Sequence, residues 1–433
     1  MTVSDSNDDS LAEDSSAGTN QDIPIALVAP VQPVAIQPVI PTTTPPSFHP
    51  PPVNDHDSSS SPLRARDILL APFRWMHSIV EWFFGLYVLI GALALAASLP
   101  LIQFIALGYL LETSGRIVRL KKIRAGFWGI RTAARVGGVI SGTLIVWLPT
   151  YFHSIYYLEA QIMLPGSERA AQYGWETGVM ALITSLYTLW AWLRGGKLRH
   201  FFWPAPIRFF REAFRREIYI RTHDQFWDFI RSLELPALWK LGFQGFIGTF
   251  CWLVVPIALC IGGMTLPRGL NIVSGLIGYI ALAVIFLYLP MLQTRFAVER
   301  RFTVFKEITK IREMYRRAPI ALWVSMVAVW MLAIPVYAVK VELTPREVVL
   351  LPAVIFIMFA WPARVMLGWA YGRAKRREQT RHPLFVWIGR LTLVPVVLSY
   401  GSIVLASRYT SWYGEWSLFE QHALLVPIPF LSF

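Results

Sequence analysis

The stretch LNIVSGLIGYIALAVIFLYLPMLQTRFAVERRFTVFKEITKIREMYRR, residues 270–317, decides the fold. Its first part, 270–292, carries no charged side chain, whereas 295–317 carries eight Lys or Arg. At ~1.5 Å per residue, the uncharged part is long enough as a helix to cross a ~30 Å hydrocarbon core. Only a helix satisfies its own backbone hydrogen bonds there. The basic part that follows reads as a cytoplasmic segment that orients the span.

The same unit recurs along the chain. Thirty-two of the forty Lys and Arg fall in four intervals, 112–135, 194–240, 295–317 and 364–390. Long apolar runs separate them. Eight candidate spans result, at about 79–99, 136–156, 177–193, 241–266, 270–292, 318–339, 348–363 and 391–407. The intervals 159–176, 267–269, 340–347 and 408–433 hold five Lys or Arg against seven acids and are expected on the opposite side. The reading is an all-α, polytopic transmembrane helix bundle of about eight spans, with amphipathic cytoplasmic interfacial helices. Composition agrees: 55% of the 433 residues are hydrophobic and only 15% charged.

Two domains of different character are expected. Residues 1–62 hold eight acids, no bases and eleven prolines, which predicts a disordered acidic Pro-rich tail. Residues 63–433 form the transmembrane helical domain. No cleavable signal peptide is visible, because 1–62 lacks both a basic region and an apolar core. The uncharged run from Trp82 to Leu111 is interrupted by Pro100. Either the helix crosses by Leu99 and bends onto the cytoplasmic surface, the version favoured here, or the run is a re-entrant hairpin. Leu99-Pro100-Leu101-Ile102-Gln103 echoes Leu289-Pro290-Met291-Leu292-Gln293, and Trp203-Pro204-Ala205 echoes Trp361-Pro362-Ala363. These echoes suggest a parallel repeat of 79–266 and 270–407.

The net charge of +13 is interleaved with spans rather than gathered on a soluble domain. It therefore points to anionic phospholipid headgroups of the lipid bilayer as the partner, and not to nucleic acid. Trp82, Trp147, Trp192, Trp239, Trp361 and Trp387 lie near the ends of apolar runs, where indoles anchor at the headgroup layer. Trp252 and Trp330 read as core filler. Cys251 and Cys260 share one apolar run and read as buried free thiols, without a disulfide or metal role.

The segment 194–240 is the most informative loop. From Pro204 and Pro206 a helix is expected with Ile207, Phe209, Phe210, Phe214 and Ile218 on one face. Arg208, Arg211, Arg215 and Arg216 occupy the other and are the candidate lipid-headgroup contacts. Thr222 and Gln225 fit a capping box opening a second helix with an apolar stripe of Phe226, Phe229, Ile230 and Leu233. His223, Asp224 and Asp228 make a candidate polar cluster there, for a metal or for acid–base work at lipid headgroups. No third or fourth ligand stands at helical spacing, and acids at a helix start are accounted for by the dipole. No catalytic residue, cofactor or metal is therefore expected.

No ionisable residue lies at the centre of any run, which argues against an ion-coupled transporter. Pro149, Pro256, Pro335 and Pro352 leave room for a facilitator or exporter of an uncharged or amphiphilic solute through kinked helices. The glycines at 138 and 142, and at 242, 245 and 248, read as faces for close helix approach. Walker, GxSxG, HExxH and EF-hand patterns are absent. The stretch from Leu99-Pro100 to Gly138, with Leu107-Gly108-Tyr109-Leu110, Arg116 and Arg119, resembles a family of bacterial multi-span inner-membrane proteins known only as a domain of unknown function. The segment Arg194 to Pro206 adds to the likeness, which spans about 80–240. It implies a multi-pass protein of the bacterial inner (cytoplasmic) membrane and no activity. The expectation is a non-enzymatic integral membrane protein, structural, partner-binding or lipid-organising. A facilitator and a lipid-modifying enzyme built on His223, Asp224 and Asp228 are the alternatives.

Overall fold

A computed structural model describes residues 65–203, 205–212, 215–340, 350–410 and 418. The expected tail at 1–62 lies outside them, as do Pro204 and Phe214. All regular structure in the described residues is helical. In chain order the α-helices are α1 (Ala65–Ser98), α2 (Gln103–Leu120), α3 (Ile130–Met163), α4 (Glu168–Leu193), α5 (Leu198–Phe202), α6 (Pro206–Glu212) and α7 (Arg216–Ser232). They continue with α8 (Leu235–Thr265), α9 (Leu270–Glu299), α10 (Ile308–Arg317), α11 (Pro319–Lys340), α12 (Leu350–Lys375) and α13 (Pro383–Thr410).

Seven stretches are long and apolar enough to cross a membrane: Trp75–Ser98, Ile123–Met163, Arg216–Thr265, Leu270–Glu299, Pro319–Val336, Leu350–Lys375 and Pro383–Ala406. Each overlaps one expected span. The remaining expected span, 177–193, falls in α4, which is not among the seven. The reason is composition. Thr, Tyr and Trp residues dilute its apolar side chains; Thr184 bonds Thr150 at 2.8 Å and the exposed Trp192 donates to Thr143 Oγ1. Together with a His153–Glu176 approach of 3.3 Å, these fix α3 and α4 as an antiparallel pair.

The first uncharged run is broken at Pro100 into two helices, α1 and α2. Pro100 has no N–H to extend the hydrogen-bond ladder of α1, Leu101 takes a left-handed φ of 66°, and the chain reverses into α2. The Trp239 indole donates to the Leu101 carbonyl at 2.9 Å and holds the turn. Far from that turn, Trp82 of α1 lies 6.2 Å, ring to ring, from Phe127, beyond the end of α2. α1 and α2 are therefore the two arms of an antiparallel hairpin, and α1, through Trp75–Ser98, is itself long and apolar enough to cross a membrane.

α2 is the helix around which the others gather, packing on α8, α9 and α12. Gly108 and Gly242 make this possible, since a Cβ on either would strike the other helix's backbone, at Leu238 and at Phe104. Lipid offers no hydrophobic drive between helices, so close backbone approach and the dispersion contacts it permits carry the association. Gly245 and Gly248 open toward Leu111 and Phe305 in the same way. α8 and α9 are antiparallel, with Gly278 against Cys260 and Gly263 against Gly275. Cys260 is buried as expected, but Cys251 is exposed on the outer side of α8. Trp252 and Trp330 are half-buried against the core.

The two Leu-Pro echoes diverge: the first breaks a helix, while Pro290 stays inside α9. The segments downstream match instead. α2 ends at Lys121 in the left-handed region, then extended Lys122 and a 3-10 turn at Ile123–Gly126. α9 ends at Arg300 in the left-handed region, then extended Arg301 and a 3-10 turn at Phe302–Lys306. Each 3-10 turn receives an indole N–H at 3.2 Å, Trp361 to the Gly126 carbonyl and Trp252 to that of Phe305.

Candidate functional site

The residues singled out in 194–240 do not form an enclosed site. The break comes earlier than expected: α6 stops at Glu212 and α7 begins at Arg216, so Ile218 belongs to α7. Thr222 is no cap. It sits inside α7, its hydroxyl donating to the Ile218 carbonyl at 2.8 Å, a bond that helical Thr commonly makes. Arg208, Arg211, Arg215 and Arg216 are all exposed, and α7 contains no buried residue. Ile207, Phe210, Tyr219, Ile220, Phe226 and Trp227 are exposed beside them. Phe209 instead turns in, edge-on to Trp190 at 5.2 Å.

His223, Asp224 and Asp228 are splayed on the surface. The side chains of His223 and Asp224 are 67% and 65% exposed at 3.3 Å from each other. Asp228 faces Arg231 at 3.7 Å, 74% exposed. The His223 Nε2 accepts the Trp227 indole N–H at 2.9 Å. A base must reach a proton within an enclosed geometry, and these three converge on nothing. Among the described residues no group of three His, Cys, Asp or Glu could hold a metal ion.

Two other features bring charge together. The first is a buried knot where α2, α8, α9 and α12 meet. Glu112, 3% exposed, accepts Arg116 Nε at 2.9 Å, Arg300 Nη2 at 2.7 Å and Arg119 Nη2. Arg116 also lies 4.0 Å over the Trp128 ring, which stacks on Tyr109. One layer on, Arg295 pairs with Glu299 at 2.8 Å and with Glu307 at 2.5 Å. Hydrogen bonds from Lys310 and Arg295 hold the Glu307 carboxyl below its usual range. Arg364 donates to Gln293 at 2.7 Å, and Gln293 to Thr249 at 2.6 Å, tying α12, α9 and α8. In sequence Glu112 and Arg364 open the basic intervals 112–135 and 364–390. The one available sign was that Glu112 is the sole acid in the basic interval 112–135.

The second is a groove of about 890 Å³ between α1, the first turns of α3 and the Gly195–Arg199 segment. Gly195 and Gly196 take φ of 95° and 61°, and a Cβ on Gly196 would press into Val139, so the segment lies tight against α3. Nearby His200 has its pKa lowered by burial, and next by Arg194, Arg199, Lys197 and Arg208. The imidazole is thus kept neutral in a positive field. Three further cavities among the described residues lie at helix ends.

The chain matches no family model, no curated protein and no solved structure.

Proposed function

We propose that this is a non-enzymatic, multi-pass protein of the bacterial inner membrane that gathers anionic phospholipid at its cytoplasmic face. The observation that carries the reading is α6 and α7. Their arginines and aromatic side chains are exposed together, on helices with no buried residue in α7. That is the composition of a helix lying in the headgroup layer, where each Lys or Arg is worth ~1 kcal/mol toward anionic lipid. The test compares wild type with the R208Q/R211Q/R215Q/R216Q variant in a membrane of mixed anionic and zwitterionic phospholipid. The lipid retained around the protein should be enriched in the anionic species for wild type, and salt should reduce the enrichment. Equal enrichment in the variant would sink this reading.

We infer a topology of one re-entrant hairpin, α1–α2, and seven crossings, α3, α4, α8, α9, α11, α12 and α13. The basic intervals all stay cytoplasmic, as does the start of α1. In a C251S/C260S background, single cysteines at Ser78 and Lys122 should react with an impermeant maleimide from the same side, and one at Glu168 from the opposite side. Ser78 and Glu168 labelling together would contradict the hairpin. The matching segments after α2 and α9 support a parallel repeat in the chain.

A further inference from the structure

We propose that the groove between α1 and α3 is a site for one anionic phospholipid molecule. This goes beyond the interfacial role of α6 and α7 but rests on the same lipid-binding reading. Three observations converge. Arg135, Lys197 and Arg199 line the groove against a single carboxylate, Glu81, and His77. The remaining walls are mostly apolar, with Val80 and Phe84 from α1 and Val139 and Ile145 from α3. An apolar trench with three cations in its lining complements an amphiphile with a phosphate head and hydrocarbon chains. The volume lies in the range of ligand sites rather than packing voids.

The third observation is Gly138. It lines the groove, yet a Cβ there would meet no heavy atom within 4 Å. Its neighbours Gly137 and Gly142 are different, since a Cβ on either would collide with Phe84 and Val88 or with Phe201. Close helix packing accounts for those two and not for Gly138, which keeps the floor of the groove open. A leucine at 138 would fill it from a helical position that favours leucine over glycine.

The phosphate is assigned to Arg135, Lys197 and Arg199, and the chains to the Val80, Phe84 and Ile145 wall. The experiment uses the full-length protein in mild detergent, titrated separately with phosphatidylglycerol and phosphatidylcholine and read by native mass spectrometry. Wild type should show one saturable phosphatidylglycerol site, with at least about tenfold weaker phosphatidylcholine binding. Gly138→Leu should weaken phosphatidylglycerol at least about tenfold while the protein elutes and melts as wild type. The R135Q/K197Q/R199Q variant should remove the headgroup preference while leaving weak binding of both lipids. Unchanged binding in Gly138→Leu overturns the proposal, as does equal binding of the two lipids by wild type. If only the α6–α7 arginine variant lowers binding, the groove fails and the lipid reading stands. If only the groove variants do, the groove stands and the α6–α7 reading fails.

Discussion

Replacing Glu112 with alanine is expected to destabilise the protein by about 3 kcal/mol. The carboxylate is 3% exposed and pairs with Arg116, Arg119 and Arg300, so its removal leaves three guanidinium groups facing one another. Breaking a buried ion pair from one side typically costs about 3–5 kcal/mol, because the remaining charge is left uncompensated. The lower end applies here. Arg116, Arg119 and Arg300 keep 28%, 34% and 44% of their side-chain surface exposed, and water screens part of their repulsion. Glu112→Gln keeps shape and hydrogen-bond acceptance and should fall between. Asp228→Ala, at an ion pair that is exposed on both sides, should cost less than about 1 kcal/mol. Thermal unfolding in detergent, followed by the loss of monodisperse protein, measures all three. A Glu112→Ala protein that melts with wild type would show that the knot contributes nothing to stability.

The second large effect is expected at Gly242. A Cβ there would be driven into the Phe104 carbonyl and toward the Gly108 nitrogen, and one on Gly108 into the Leu238 carbonyl. Overpacking usually costs about 1–3 kcal/mol when side chains can yield, and here the obstacle is backbone on both sides. Gly242→Val and Gly108→Val should therefore each cost at least about 3 kcal/mol and part α2 from α8. The control is Gly138→Ala, with open space above it, which should be neutral or stabilising by up to about 1 kcal/mol. The three variants are ranked by the same melting assay. Equal effects at positions 138 and 242 would contradict the packing described here.

Much of the fold was legible because its cause is local. An uncharged run must be helical in lipid whatever its neighbours do, so seven of the eight expected spans coincide with stretches able to cross a membrane. The eighth was read as an apolar run like the others, but α4 is diluted by Thr, Tyr and Trp. Of these, Thr184 and Trp192 bond α3 and Tyr187 bonds the Phe201 carbonyl, and a hydropathy average cannot show those pairings. The glycines of 242, 245 and 248 were readable as a packing face, whereas the open space over Gly138 was not. Thr222 and Gln225 misled because a capping pattern is identical in sequence to an ordinary helix interior.

The sequence by itself determined the helical class, the alternation of apolar and basic segments, and the exposed arginine face of α6 and α7. Those follow from solvation, which each segment settles on its own. Only the tertiary structure decided that the first run turns back at Leu101, and that Glu112 meets Arg300 across 188 positions. It alone joined Arg135 to Lys197 and Arg199 around one groove. Reversal depends on what holds the turn, and here that is Trp239, far along the chain. Pairing of distant charges depends on which helices approach closely, and small residues permit that approach without specifying the partner.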